Sequence, residues 1–108
     1  MPAYAVAVIR ETRFGPEVRE YLERIDATLA PHQGRFRIHG GPSRLLEGDW
    51  SGDLVVIEFP THAQALAWYE SPAYRALRPL REDNTEGTVF LVDGVPGTHR
   101  ATDILSPS

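Results

Sequence analysis

Apolar and polar positions follow two different periods along this chain, and the changes of period predict its elements. Ala3 to Ile9 is a short apolar run rich in β-branched residues, which predicts a first strand. Gly15-Pro16 interrupts it. Pro16 suits the first position of a helix, where its missing N–H has no partner to lose. Glu17 and Glu20 favour the positive end of the helix dipole. Val18, Tyr21, Leu22, Ile25 and Leu29 then recur at spacings of three and four, one face of a helix that Pro31 closes. Alternation returns at Arg35 to Ile38, the start of a second strand. Gly40-Gly41-Pro42 bends it, and Leu45-Leu46 is expected to resume it. Gly48 to Gly52 reads as a hairpin tip, and Leu54 to Phe59 as a third strand. Thr61 and Gln64 have capping-box spacing, which starts a second helix. Ser71-Pro72 repeats the start signal, so this helix is expected to break and restart there. Thr88 to Val92 is the fourth strand. Residues 1–95 form the predicted domain and residues 96–108 a polar tail whose one apolar pair is Ile104-Leu105.

The order β-α-β-β-α-β predicts an α+β, ferredoxin-like fold, with a four-stranded antiparallel sheet covered on one face by both helices. Three of the strands are apolar on both faces: Val6 and Val8 back Ala5 and Ala7, Val56 backs Val55 and Ile57, and Phe90 backs Val89 and Leu91. A sheet with one wet face would alternate. Helices cover only one face, so a second copy of the sheet, related by a two-fold axis, is the expected cover for the other. The partner predicted by this pattern is therefore the chain itself, as a homodimer.

Composition narrows the function classes. The chain has 108 residues, no cysteine and a net charge of −4. Without a basic patch, nucleic-acid binding is not expected. No apolar run reaches the ~20 residues of a membrane helix, and Met1 to Ile9 has no basic n-region, so neither a membrane span nor a signal peptide is read. The lack of cysteine fits a reducing, cytoplasmic setting. All 11 basic residues are arginine, as a GC-rich, bacterial coding sequence would give. His32, His39, His62 and His99 are scattered, with no metal-ligand spacing, and there is no phosphate loop or nucleophile elbow, so no metal and no cofactor is expected.

Glu58 is the sharpest candidate for chemistry. A carboxylate inside an apolar strand either has a raised pKa and acts as a general base, or closes an ion pair with an arginine from strand two or helix two. His39, beside the Gly-Gly bend, is the candidate proton shuttle. Strict alternation puts it on the face of Arg35 and Arg37, away from Phe36 and Ile38, and makes a His39–Glu58 contact available. Arg81 continues the apolar face of Tyr74 and Leu77, where it would clamp a ligand carboxylate or neutralise Glu58. Arg37, Trp50, Tyr69 and Tyr74 complete the candidate ligand-binding set, Trp50 as a hairpin-tip aromatic that closes a pocket mouth or packs over the barrel end. Arg75 and Arg78 read as solvated surface.

Glu47-Gly48-Asp49-Trp50, Val55 to Pro60, Ala65, Trp68-Tyr69 and Ser71-Pro72-Ala73-Tyr74, together with Gly34-Arg35-Phe36 and Gly40-Gly41, resemble the domain-of-unknown-function family 1330. The resemblance runs from about Tyr4 to Gly94. It implies a dimeric α+β barrel, in which two ferredoxin-like sheets close on each other. The wider superfamily includes cofactor-independent monooxygenases and isomerase-like proteins, while this family has no established activity. The isomerase-like members' His–Asp dyad is absent here. Two readings therefore stand: a small organic ligand bound in each subunit with proton-transfer, isomerase or cofactor-independent oxygenase chemistry, or a dimeric binding or accessory protein without turnover.

Overall fold

The computed structural model describes residues 1–105 as four strands and three main helices: β1 (Ala3–Thr12), α1 (Pro16–Leu29), β2 (Arg35–His39), β3 (Asp53–Phe59), α2 (His62–Glu70), α3 (Pro72–Glu82) and β4 (Thr85–Asp93). The strands form one antiparallel sheet in the order β2-β3-β1-β4, and the fold is the expected ferredoxin-like α+β architecture.

Local chemistry explains the helix boundaries. Pro16 opens α1, with Glu17 in its first turn. Thr61 caps α2 by accepting the Gln64 N–H at 3.2 Å. Ser71 ends α2 and begins α3: its hydroxyl donates to the Trp68 carbonyl at 2.7 Å and accepts the Tyr74 N–H at 3.3 Å. The helix break expected at Ser71-Pro72 is present, and it lets α3 turn away from the sheet and pack on α1. Among the described residues no helix is long and apolar enough to cross a membrane.

The core lies between the sheet and the helices. Ala3, Ala5, Ile57 and Phe59 meet Ile25 and Leu29 of α1, Ala65 and Trp68 of α2, and Tyr74 and Leu77 of α3. Buried Thr28 ties two helices together: its hydroxyl accepts the Trp68 indole N–H at 3.0 Å and donates to the Ile25 carbonyl. Gly34, at the entrance to β2, is required by packing, since a Cβ there would sit 2.6 Å from the Phe59 ring.

Two expectations are corrected. β2 ends at His39, and residues 40–52 form a loop in which Leu45 and Leu46 are exposed and pair with no strand. A register shift between Phe36 and Ile38 makes Arg37 an extra residue opposite β3, a β-bulge. The bulge carries His39 to the face of Phe36, where the two rings stack at 4.3 Å. The strict alternation that put His39 with Arg35 and Arg37 therefore does not hold. In the tail, a short helical turn at Ala101–Leu105 leaves Ile104 and Leu105 exposed on this chain. The rest of the tail, residues 106–108, lies outside the described residues.

The second face of the sheet carries Tyr4, Val6 and Val8 of β1, Leu54 and Val56 of β3, Phe90 and Val92 of β4 and Ile38 of β2. Phe90 and Val92 are each 44% exposed, so an apolar surface is left open across all four strands.

Leu77 is 1% exposed and belongs to the core cluster. Leu77→Ala is expected to cost about 2–5 kcal/mol of folding free energy, read from the shift in a chemical-denaturation midpoint.

A candidate ligand cavity beneath α1

A cavity of about 290 Å³ lies between α1 and one end of the sheet. Its floor is the inner face of β1, where the small side chains of Ala5 and Ala7 stand between Ile57 and Val55 on one side and Val89 on the other. Its roof is Val18, Tyr21, Leu22 and Ile25 of α1, and Phe14 of the β1–α1 loop stands exposed at its edge. Trp68 and Tyr74 form an aromatic wall, their ring centroids 4.1 Å apart.

Polar groups occupy the two ends. At the β2 end are His39, Gly40, Gly41 and Asp53. His39 is exposed there, held flat against Phe36. Towards β4 stands Arg81 with two tyrosines. The Tyr21 and Tyr74 hydroxyls are 2.7 Å apart, and the Arg81 Nε–H donates to the Tyr74 oxygen at 3.4 Å. Burial, then the neighbouring Tyr74, pushes the Tyr21 phenol far above its ordinary range, with Arg81 only partly opposing the shift. Tyr21 is therefore a neutral hydroxyl at neutral pH. Arg81 carries its charge throughout, as guanidinium groups do. No carboxylate pairs with it among the described residues. A second, polar cavity of about 250 Å³ adjoins Arg81 and is bounded by Tyr69, Glu82, Thr85 and Gly87.

The structure brings His39, Tyr74 and Arg81 to one cavity and places Tyr69 at the adjoining one. It does not bring Glu58, Arg37 or Trp50 to either. Glu58 faces the opposite side of the sheet, so the contact with His39 is not made. Its carboxylate accepts the Arg37 Nε–H at 2.9 Å, with Arg35 at 4.0 Å. The Arg37 hydrogen bond holds the Glu58 pKa below its ordinary value, outweighing partial desolvation. The raised pKa expected of a buried base is therefore corrected, and the ion pair with strand two is what forms. Trp50 lies in the loop, 42% exposed. Arg78, read as solvated surface, instead lies 4.4 Å over the Tyr69 ring. Tyr21 was legible as a helix-face residue and not as a site residue, because only its 2.7 Å partner on α3 reveals the role. Among the described residues no cluster of His, Cys, Asp or Glu could hold a metal ion.

Because the folded pKa of Glu58 is depressed, its pairing stabilises the protein above the ordinary carboxylate range and is lost as pH falls through the depressed value. Arg37→Leu is expected to move the Glu58 titration upward, read from its side-chain carboxyl carbon by NMR. An unmoved titration would show that the pair does not set it.

Comparison with known proteins bears first on the fold. The chain is similar to a solved protein of unknown function from Rhodopseudomonas palustris, at 14% identity over 88% of this chain and 83% of that one, with a TM-score of 0.66. It is similar to a dimeric ferredoxin-like protein of unknown function from a Jannaschia species, at 13% identity over 89% of this chain and 100% of that one, with a TM-score of 0.65. An antibiotic biosynthesis monooxygenase matches at 17% identity over 89% of this chain and 100% of that one, with a TM-score of 0.51. At these identities the likeness is one of fold. No curated protein matches the sequence. The model of the family described as Domain of unknown function (DUF1330) matches residues 2–95, nearly the whole of the folded part, and the chain belongs to that family.

Proposed function

We propose that the protein is a homodimer that binds a small organic ligand in the cavity of each subunit. The observation that carries this reading is the cavity itself: about 290 Å³ of space, walled by alanine, aliphatic and aromatic side chains, with polar groups confined to its ends. That is the anatomy of a small-molecule site, at the lower end of the usual size range of roughly 300–1,000 Å³. A liquid water occupies ~30 Å³, so the space suits a ligand of on the order of ten non-hydrogen atoms. The absence of cysteine fits work in a reducing cytoplasm.

Proton transfer in the same cavity is the second reading, and His39 supports it. The imidazole lines the cavity mouth and is oriented by stacking on Phe36. Glu58 has no part in that chemistry; as the partner of Arg37 on the outer face, it belongs with assembly. The homodimer is supported by the open apolar face, which a second sheet would cover.

In analytical ultracentrifugation at micromolar concentration, the wild-type chain is expected to sediment as a dimer and Val56→Asp as a monomer; a monomeric wild type overturns the assembly. For the cavity, indole (a neutral probe of suitable size) is expected to bind by calorimetry. Ala7→Phe, which fills the floor, is expected to abolish that binding while keeping a wild-type circular dichroism spectrum. Indole binding that survives Ala7→Phe would place the ligand elsewhere, and a wild type that ignores millimolar indole would overturn the cavity reading.

A further inference from the structure

Arg81 differs from the other arginines of the described chain. Arg13, Arg19, Arg24, Arg35, Arg37 and Arg78 each have a carboxylate within 4.0 Å. Arg10, Arg44, Arg75 and Arg100 carry their charge at exposed positions. Arg81 alone is partly buried and without a carboxylate, and it stands in the wall shared by the two cavities. Placing a guanidinium there is costly unless an anion completes it. Its planar fork matches a carboxylate with two parallel hydrogen bonds.

The tyrosines beside it add a donor. Two hydroxyls carry two protons, and the 2.7 Å bond between Tyr21 and Tyr74 uses one. Burial keeps Tyr21 protonated, so one O–H remains to be donated away from the pair. The head site thus offers a forked cation and one hydroxyl proton. It holds a single positive charge, which suits a monoanion and falls short of what a phosphate dianion would require. The polar second cavity lies on the other side of Arg81.

Between Arg81 and the polar β2 end, the site is apolar and long. From Thr85 on β4 to His39 on β2 the cavity crosses the whole sheet, three interstrand steps or about 14 Å. Resting on the ligand-cavity reading above, we infer that the ligand class is an amphipathic monocarboxylate. Its carboxylate lies on Arg81 and the Tyr21–Tyr74 pair, and its apolar chain or ring, on the order of ten non-hydrogen atoms by volume, runs beneath α1 towards Phe36 and His39.

The test is isothermal titration calorimetry of the full chain with octanoate and with octanamide, which match in size and differ in charge. Octanoate is expected to bind roughly 10–100-fold more tightly, the range of a hydrogen-bonded ion pair. Arg81→Leu is expected to erase that preference while octanamide binding is retained. Should Arg81→Leu fail to fold, the wild-type ratio and the partial preference expected of Arg81→Lys still decide. Octanamide binding as tightly as octanoate overturns the inference and leaves the cavity reading standing. Binding of neither ligand by a wild type that does bind indole overturns the chain-length and head-group assignment alone; a wild type that binds none of the three overturns both.

Discussion

The small side chains of the central strand govern what the rest of this fold does. β1 lies between β3 and β4 and presents Ala3, Ala5 and Ala7 to the helices. Ala3 is covered completely, because Phe59, Trp68 and Leu77 close over that end of the sheet, and Ala5 stands at the boundary, nearly buried yet part of the cavity floor. Ala7 lies beyond them, beneath α1, and there the volume is not filled. Native interiors are packed densely enough that a space of this size is seldom left by chance. One strand thus sets both the tight half of the core and the hollow half.

The aromatic residues turn that arrangement into a defined wall. Trp68 is fixed by its indole bond to Thr28, and its ring supports Tyr74. Tyr74 in turn meets Tyr21 from α1 and Arg81 one helical stretch further along α3. The polar end of the cavity is therefore held by a chain of contacts that begins in the core. The break at Ser71 matters for the same reason: a helix continuing straight from α2 would not bring Tyr74 and Arg81 over to α1.

Much of the fold was legible in the sequence because its signals are local. Pro16, the Thr61–Gln64 box and Ser71-Pro72 mark helix ends through capping chemistry that operates within four residues. The doubled apolar pattern of three strands gave the open outer face. The site was less legible, because its geometry depends on pairing. The Arg37 bulge is set by how β2 aligns with β3, and it alone reverses the face on which His39 lies. Leu45-Leu46 has the composition of a strand and no neighbour to pair with. Glu58 had two readings from sequence, and the bulge that presents Arg37 to it decides between them. Arg81 followed its helical face as expected, while its lack of a carboxylate partner emerges only in three dimensions.

Gly52 and Gly87 flank β1 from opposite sides near Ile9, and a Cβ on either would strike the β1 backbone, at the Ile9 and Val8 carbonyls respectively. The same end of the sheet bounds the cavity. There the strands approach too closely for either glycine to carry a side chain, and Ile9, Thr12, Asp53 and Thr85 beside them line the cavity. Exchanging side chains of α1 and α3 would instead change the roof and the aromatic wall of the cavity. The strand spacing set at Gly52 and Gly87 is closed to such exchange, so the sheet beneath the cavity keeps its shape while the helices above it can vary.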